Sequence, residues 1–284
     1  MTSEPATCLR AQLATRPAAT GVLLLHGLTG VPSEMRPLRR PLEQLGCTVD
    51  VPLLPGHGAT HRELLATGWN DWLAGARRAA DDLANRCDTL VVAGLSMGAL
   101  LATLLAADDP RVDGIALLSP TLRYDGSSVP RTKWLLPLAH LLPFSGRTFY
   151  WRESPPYGLK DKRLQSLIAR AVEAANRGES TKYGLFRTYV GSILELNRLV
   201  REVRRRARTV HCPLLVLQSV EDTITSVRNA TEIYDRIGST EKSIYWLTGC
   251  DHVITLDLKK HEVGRVVSEF ALRTAKRKTR AAVI

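Results

Sequence analysis

An α/β fold is predicted for this 284-residue sequence: a mostly parallel central sheet flanked by helices, with a helical lid inserted. Three observations predict it. Short β-type runs that are apolar throughout recur across the first 120 residues, as parallel strands covered on both faces require. Segments of helical period separate these runs, which makes βαβ units. The rhythm breaks at about residue 121 and resumes after residue 211, so the stretch between reads as an insertion into one sheet.

Taken in order, the first strand falls on residues 21–25 (GVLLL), and a helix follows over about 33–45. A strand at 47–52 (CTVDVP) leads to a helix over about 70–85. Next come the strand 89–93 (TLVVA), a helix over about 97–107 (MGALLATLLAA) and the strand 114–118 (GIALL). After the insertion the pattern continues with a strand at 213–218 (PLLVLQ), a helix near 226–237, a strand at 242–247 (KSIYWL) and a last helix near 258–274. The insertion opens rich in proline and aromatic residues, among them Pro130, Trp134, Pro143, Phe144 and Trp151, and turns helical and Arg-rich at LELNRLVREVRRRAR. Residues 1–120 and 212–275 therefore form a discontinuous core, and 121–211 a lid. Residues 276–284 form a basic tail expected to be poorly ordered.

Composition narrows the function classes. Hydrophobic residues at 44% and charged residues at 24% fit a soluble globular protein. No apolar run approaches the ~20 residues that span a bilayer. The first twenty residues carry an early acid and no apolar block, unlike a secretory signal. Five scattered cysteines without metal-site spacing suit reduced thiols, so a cytoplasmic location and no metal are expected. The net charge of +11 is unevenly spread. Residues 1–120 hold 10 Lys/Arg against 12 Asp/Glu, residues 121–211 hold 18 against 7, and residues 212–284 hold 11 against 9. No nucleic-acid-binding signature accompanies this excess. A solvated basic surface is its plain reading, and attraction of an anionic partner is the sharper one.

Gly94-Leu95-Ser96-Met97-Gly98 follows the strand TLVVA and opens a helix. A serine hydroxyl is a weak nucleophile, so it must project towards a base beside an anion-stabilising site. A sharp strand-to-helix turn does this at the expense of backbone strain, and small residues at 94 and 98 avoid collision across the turn. This context resembles the nucleophile turn of the α/β-hydrolases, with Ser96 as the expected nucleophile. His26-Gly27-Leu28-Thr29-Gly30 follows the first strand, where one oxyanion-hole N–H is expected, and the residue after the nucleophile supplies the other. These assign the backbone N–H groups of Leu28 and Met97. His26 reads as a residue that braces its loop.

The base should be a histidine late in the chain, preceded by the acid. Of seven histidines, only His252 follows a late strand, in TGCDHVITLD. His57, His61, His140, His211 and His261 lack that position. For the acid, Asp222 and Glu221 both sit in the loop after PLLVLQ, and Asp251 adjoins His252 in sequence. Neighbouring side chains on a loop diverge, so Asp251 reads as a turn or screening residue.

With these residues placed, the chain resembles the bacterial carboxylesterase and monoacylglycerol lipase group of α/β-hydrolases. LLLHGLTGVPSEM is similar to that group's LLLHGFTGxPxxM, and VPLLPGHG, GWNDWL and GLSMGAL each match a family block. GCDHVITLD resembles its SGHVITLD. The resemblance places the acid at Asp222 and implies a cofactor-free triad of Ser96, Asp222 and His252. It also implies a small-molecule ester or lipid substrate with an apolar acyl chain, cleaved through an acyl-enzyme. Leu28 stands where the family often has Phe, Ala99 replaces a glycine, Cys250-Asp251 replaces a small pair, and the lid matches poorly. Two alternatives stay open. One is a thioesterase or acyltransferase that meets an acyl-coenzyme A, an acidic acyl carrier or a membrane surface through the basic lid. The other is a non-catalytic binding module on the same fold.

Overall fold

The computed structural model describes residues 19–130, 132, 134, 145–177 and 184–281. The first eighteen residues, and Pro137, His140, Pro143 and Phe144 of the insertion, lie outside the described residues. Six strands form one sheet: β1 (Thr20–Leu25), β2 (Thr48–Asp50), β3 (Thr89–Leu95), β4 (Val112–Leu118), β7 (Leu214–Ser219) and β8 (Lys242–Leu247). Two more, β5 (Tyr150–Arg152) and β6 (Arg187–Tyr189), form a separate antiparallel pair within the insertion. The six-stranded sheet runs in the order β2-β1-β3-β4-β7-β8, with every neighbouring pair parallel.

Alternation along the strands divides the core into two layers. Leu23 and Leu25 of β1 and Leu90 and Val92 of β3 face one side. There they meet helices α3 (Trp69–Ala84), α4 (Met97–Asp108), α7 (Val190–Arg206) and α8 (Val227–Arg236). Val22, Leu24, Val91 and Ala93 face the other side, covered by α1 (Arg36–Gln44) and α9 (Lys260–Ala281). Each fully buried leucine in these layers contributes about 1.5–3 kcal/mol of transfer free energy. Three more helices complete the described chain: α2 (His61–Leu65), and α5 (Ser145–Thr148) and α6 (Lys162–Asn176) in the insertion.

Two elements differ from the sequence expectation. The Arg-rich helix α7 packs in the core layer, because its apolar positions form one stripe through Ile193, Leu196, Leu199, Val200 and Val203. It covers α4, whose residues Met97–Leu105 are all buried and which needs apolar neighbours on every side. The expected poorly ordered tail is instead helical as far as Ala281: Lys and Arg are good helix formers, and Arg277 and Lys278 pair with Glu241 and Asp113.

The strand order also fixes where a site can form. From β1 the chain moves to one side of the sheet, to β2, and from β3 to the other side, to β4. A crevice opens beyond the carboxyl ends of two neighbouring strands whose connections diverge in this way. The loops that follow β1 and β3 carry Leu28 and Ser96.

Candidate active site

Ser96 joins β3 to α4 with φ 56° and ψ −111°, a strained conformation for a residue with a side chain. Its N–H donates to the Leu118 carbonyl at 2.8 Å, anchoring the turn to β4. A Cβ on Gly94 would overlap the Gly98 carbonyl, and one on Gly98 would overlap the Leu25 carbonyl, so the turn closes only with glycine at both. Met97 opens α4, and its N–H is one of the four at a helix start that lack an intrahelical acceptor. The Ser96 hydroxyl hydrogen-bonds Thr121 Oγ1 at 2.8 Å. Nothing in the sequence singles out Thr121, which reaches Ser96 only because β4 lies beside β3.

The loop after β1 turns with Gly30 N–H donating to Gly27 O at 3.2 Å and with Thr29 at φ 62°. His26 braces this loop: Nε2 accepts the Leu54 N–H at 3.2 Å, so Nδ1 carries the proton it donates to Gly27 O at 2.9 Å. Burial, helped by the neighbouring His57, pushes the His26 imidazole down to about 3, so it is neutral. His57 Nδ1 donates to Pro55 O at 3.0 Å, and the ring packs edge-on against His26 and Trp72, again as a buried neutral imidazole. His61 lies against Tyr189, His211 precedes β7, and His261 sits on α9.

His252 Nδ1 lies 2.8 Å from Asp222 Oδ2, and the Asp222 side chain is 1% exposed. The Asp222 carboxylate also accepts the N–H groups of Ile224 and Thr225, the Thr225 hydroxyl and the Gln218 amide, each at 2.8 Å. Burial opposes its ionisation, but the imidazole and these donors outweigh burial and hold its pKa below the ordinary value. For His252, burial disfavours the charged ring and Asp222 favours it, with a net upward shift. The other two acids point elsewhere. Asp251 accepts the Thr223 N–H at 2.7 Å and the His252 N–H at 2.8 Å, and Glu221 accepts the Gly249 N–H and pairs with Lys160. From the sheet side, Ser119 Oγ donates to His252 O at 2.8 Å and Ser219 Oγ to Cys250 O at 2.7 Å.

Ser96 and His252 share a cavity of about 230 Å³ that Leu28 also lines. The insertion supplies much of the remaining wall, including apolar Val129, Ile168 and Phe186, and Ile224 also lines it. Two carboxyls line the same space. Glu34 accepts the Gly27 N–H at 3.3 Å, and Glu153 accepts the Thr29 hydroxyl at 3.4 Å. Burial, first among the causes, pushes each up to about 7. Sequence reasoning missed both, since neither PSEM nor WRES carries a spacing that marks a site. Among the described residues, no group of three His, Cys, Asp or Glu side chains could hold a metal ion. Among them, too, no helix is long and apolar enough to cross a membrane.

The chain is similar to known proteins over most of its length. The family model described as serine aminopeptidase, S33, matches residues 16–259. The thermostable monoacylglycerol lipase of Bacillus sp. (strain H-257) is 32% identical over 237 residues, 84% of each chain. The carboxylesterase of Bacillus subtilis (strain 168) is 26% identical over 250 residues, 88% of this chain and 91% of that one. Among solved structures, one described with LipS and LipT, two metagenome-derived lipolytic enzymes, superposes with a TM-score of 0.72 at 30% identity. That match covers 90% of this chain and 95% of the other.

Proposed function

The chain belongs to the serine aminopeptidase S33 family and is an α/β-hydrolase of the lipase and esterase type, a serine ester hydrolase, and on that premise we propose that Ser96, Asp222 and His252 cleave carboxylic esters through an acyl-enzyme. The observation that most supports this is the Asp222–His252 hydrogen bond at the edge of a cavity that Ser96 also lines. Rotation about χ1 turns the Ser96 hydroxyl from Thr121 towards His252 Nε2. Ser96 Oγ then attacks the ester carbonyl carbon while its proton passes to Nε2. The carbonyl oxygen becomes an oxyanion that the Leu28 and Met97 N–H groups receive, each contributing about 3 kcal/mol at the transition state. Asp222 holds the Nδ1–H tautomer and stabilises the imidazolium, which returns its proton to the departing alcohol. Water, deprotonated by the same imidazole, attacks the acyl carbon. The acid leaves and Ser96 regains its proton, so every transferred proton passes through His252.

The substrate that suits this cavity is a small ester or lipid whose acyl chain lies along Val129, Ile168, Phe186 and Ile224. The described residues between 121 and 189 serve as the lid over it, and the core comprises the six-stranded sheet and its helices, α7 included. Reaction of the full chain with a fluorophosphonate probe tests the reading: wild type labels at Ser96, and Ser96→Ala neither labels nor turns over ester, a loss on the order of 10⁶ in kcat. Ester turnover undiminished in a folded Ser96→Ala protein would overturn it.

A further inference from the structure

The block GCDHVITLD ends on Asp257, a carboxyl that the mechanism above does not use. Asp257 is wholly buried. A carboxylate is tolerated there only if its oxygens are filled with hydrogen bonds. They are filled from two separate parts of the chain. Oδ1 accepts the N–H groups of Lys160 at 3.0 Å and Asp161 at 2.8 Å, and Oδ2 accepts those of Lys160 at 2.9 Å and Asp251 at 2.7 Å. Lys160 and Asp161 belong to the insertion and lead directly into α6, whereas Asp251 precedes His252. A neighbouring bond runs the same way, with Val253 N–H donating to Gly158 O at 2.9 Å. The serine hydroxyls at 119 and 219 hold the carbonyls of the His252 loop from the sheet. Asp257 holds its N–H side and ties it to the insertion.

We propose that Asp257 is a positioning residue for the reaction, a buried carboxylate that clamps the His252 loop to the inserted segment and keeps the imidazole in register with Ser96. The proposal rests on His252 being the base. A carboxylate is needed because both oxygens face donors. Asparagine, whichever way its amide is turned, sets an NH₂ group against a backbone N–H and leaves a buried donor without an acceptor.

Asp257→Asn in the full chain is the direct test, read on a short, neutral ester that needs little of the acyl cavity. The expected result is a kcat lower by about 10- to 100-fold, the consequence of a misplaced base, with KM little changed. Fluorophosphonate labelling slows in parallel, and the His252 Nδ1–H proton resonance moves or broadens. A matched pair covers the case in which that variant does not fold. Asp161 has φ −63°, which proline shares, and its side chain caps α6 through the N–H groups of Arg163 and Leu164. Asp161→Pro and Asp161→Ala both lose the cap, but only the proline loses the N–H that Asp257 accepts, so its kcat falls several-fold below that of the alanine variant. Equal kcat in that pair, a folded Asp257→Asn protein with wild-type kcat, or a loss confined to KM or Tm would each overturn the clamp. An active Ser96→Ala protein would overturn the parent reading and the clamp together, whereas in the other outcomes Ser96→Ala stays inert.

Discussion

Besides Asp257, three acidic side chains flank the His252 loop in sequence or in space, and their oxygens point in different directions. Glu221 faces Gly249 and Lys160, Asp251 holds the backbone of Thr223 and His252, and Asp222 reaches Nδ1. Removing the Asp222 charge lets the imidazole take the wrong tautomer, so Asp222→Asn should lower kcat by about 10⁴, with Glu221→Gln close to wild type. Asp251→Asn should instead lower stability by about 1–3 kcal/mol, read in denaturant unfolding, because buried donors lose their acceptor. The pH profile carries the same information. The base acts only when neutral, and the His252 pKa is raised above its ordinary 6.5, so the acidic limb of kcat/KM should have its midpoint above 6.5. In Asp222→Asn the residual activity should show that limb moved to lower pH; an unmoved limb would assign it to Glu34 or Glu153. As candidates, Ser96, Leu28, Met97 and His252 could be picked out in the sequence because each occupies a fixed place relative to a strand end. Thr121, Glu153 and Asp257 were not, because partners far away in the chain reach them only through the folded topology, and Glu34 was not, because its partner Gly27 is a backbone N–H that no side-chain pattern marks.

Among the elements, the strand-to-helix turn at Ser96 shows how a local sequence rule becomes a packing constraint. Gly98 packs against the Leu25 and His26 carbonyls of the neighbouring strand end, atoms that cannot rotate aside as a flexible side chain can. Gly98→Ala should therefore push β1 and its Leu28 loop away from the turn. The expected cost is about 1–3 kcal/mol in stability, together with much slower fluorophosphonate labelling. Wild-type labelling in a folded Gly98→Ala protein would show that the close approach is dispensable. The inner strands β1, β3, β4 and β7 were readable because they are buried and nearly all apolar, whereas the edge strands β2 and β8, with exposed and half-buried positions, were placed by the strand–helix rhythm. Their ends differed by only a few residues, as at β3, which runs on to Leu95. The sequence reading of α7 followed its arginines and overlooked the stripe at positions 193, 196, 200 and 203, the part that decides burial. The β5–β6 pair escaped notice because three-residue strands carry too little alternation to register.

At the scale of the whole molecule, the insertion is built into the site at both ends and is more than a cover over it. At one end, Gly126 and Ser128 donate to the Ile224 and Thr223 carbonyls of the Asp222 loop; at the other, Gly158 and Asp257 join it to the His252 loop. The same packing redistributes the charge that made residues 121–211 look like an anion-steering surface. Arg204 pairs with Glu232, Arg206 with Asp108 and Arg205 with Glu202, and Arg123 adds to the Glu232 cluster. These pairs lie along the α7 seam. Around the cavity itself the described lining residues include Glu34 and Glu153 against Arg152. Steering requires an unpaired charge of one sign near the mouth, acting over a screening length of ~10 Å at about 0.1 M salt. The paired arginines do not supply one. For an acyl-coenzyme A that is turned over, kcat/KM should therefore fall with added salt no more steeply than it does for a neutral ester. Arg205→Gln, which opens the most exposed of the three pairs, should leave both slopes unchanged. Steady-state kinetics on both substrates across a salt series measures this. A markedly steeper decline for the thioester, flattened by Arg205→Gln, would mean that the basic segment does draw anionic substrates to the cavity.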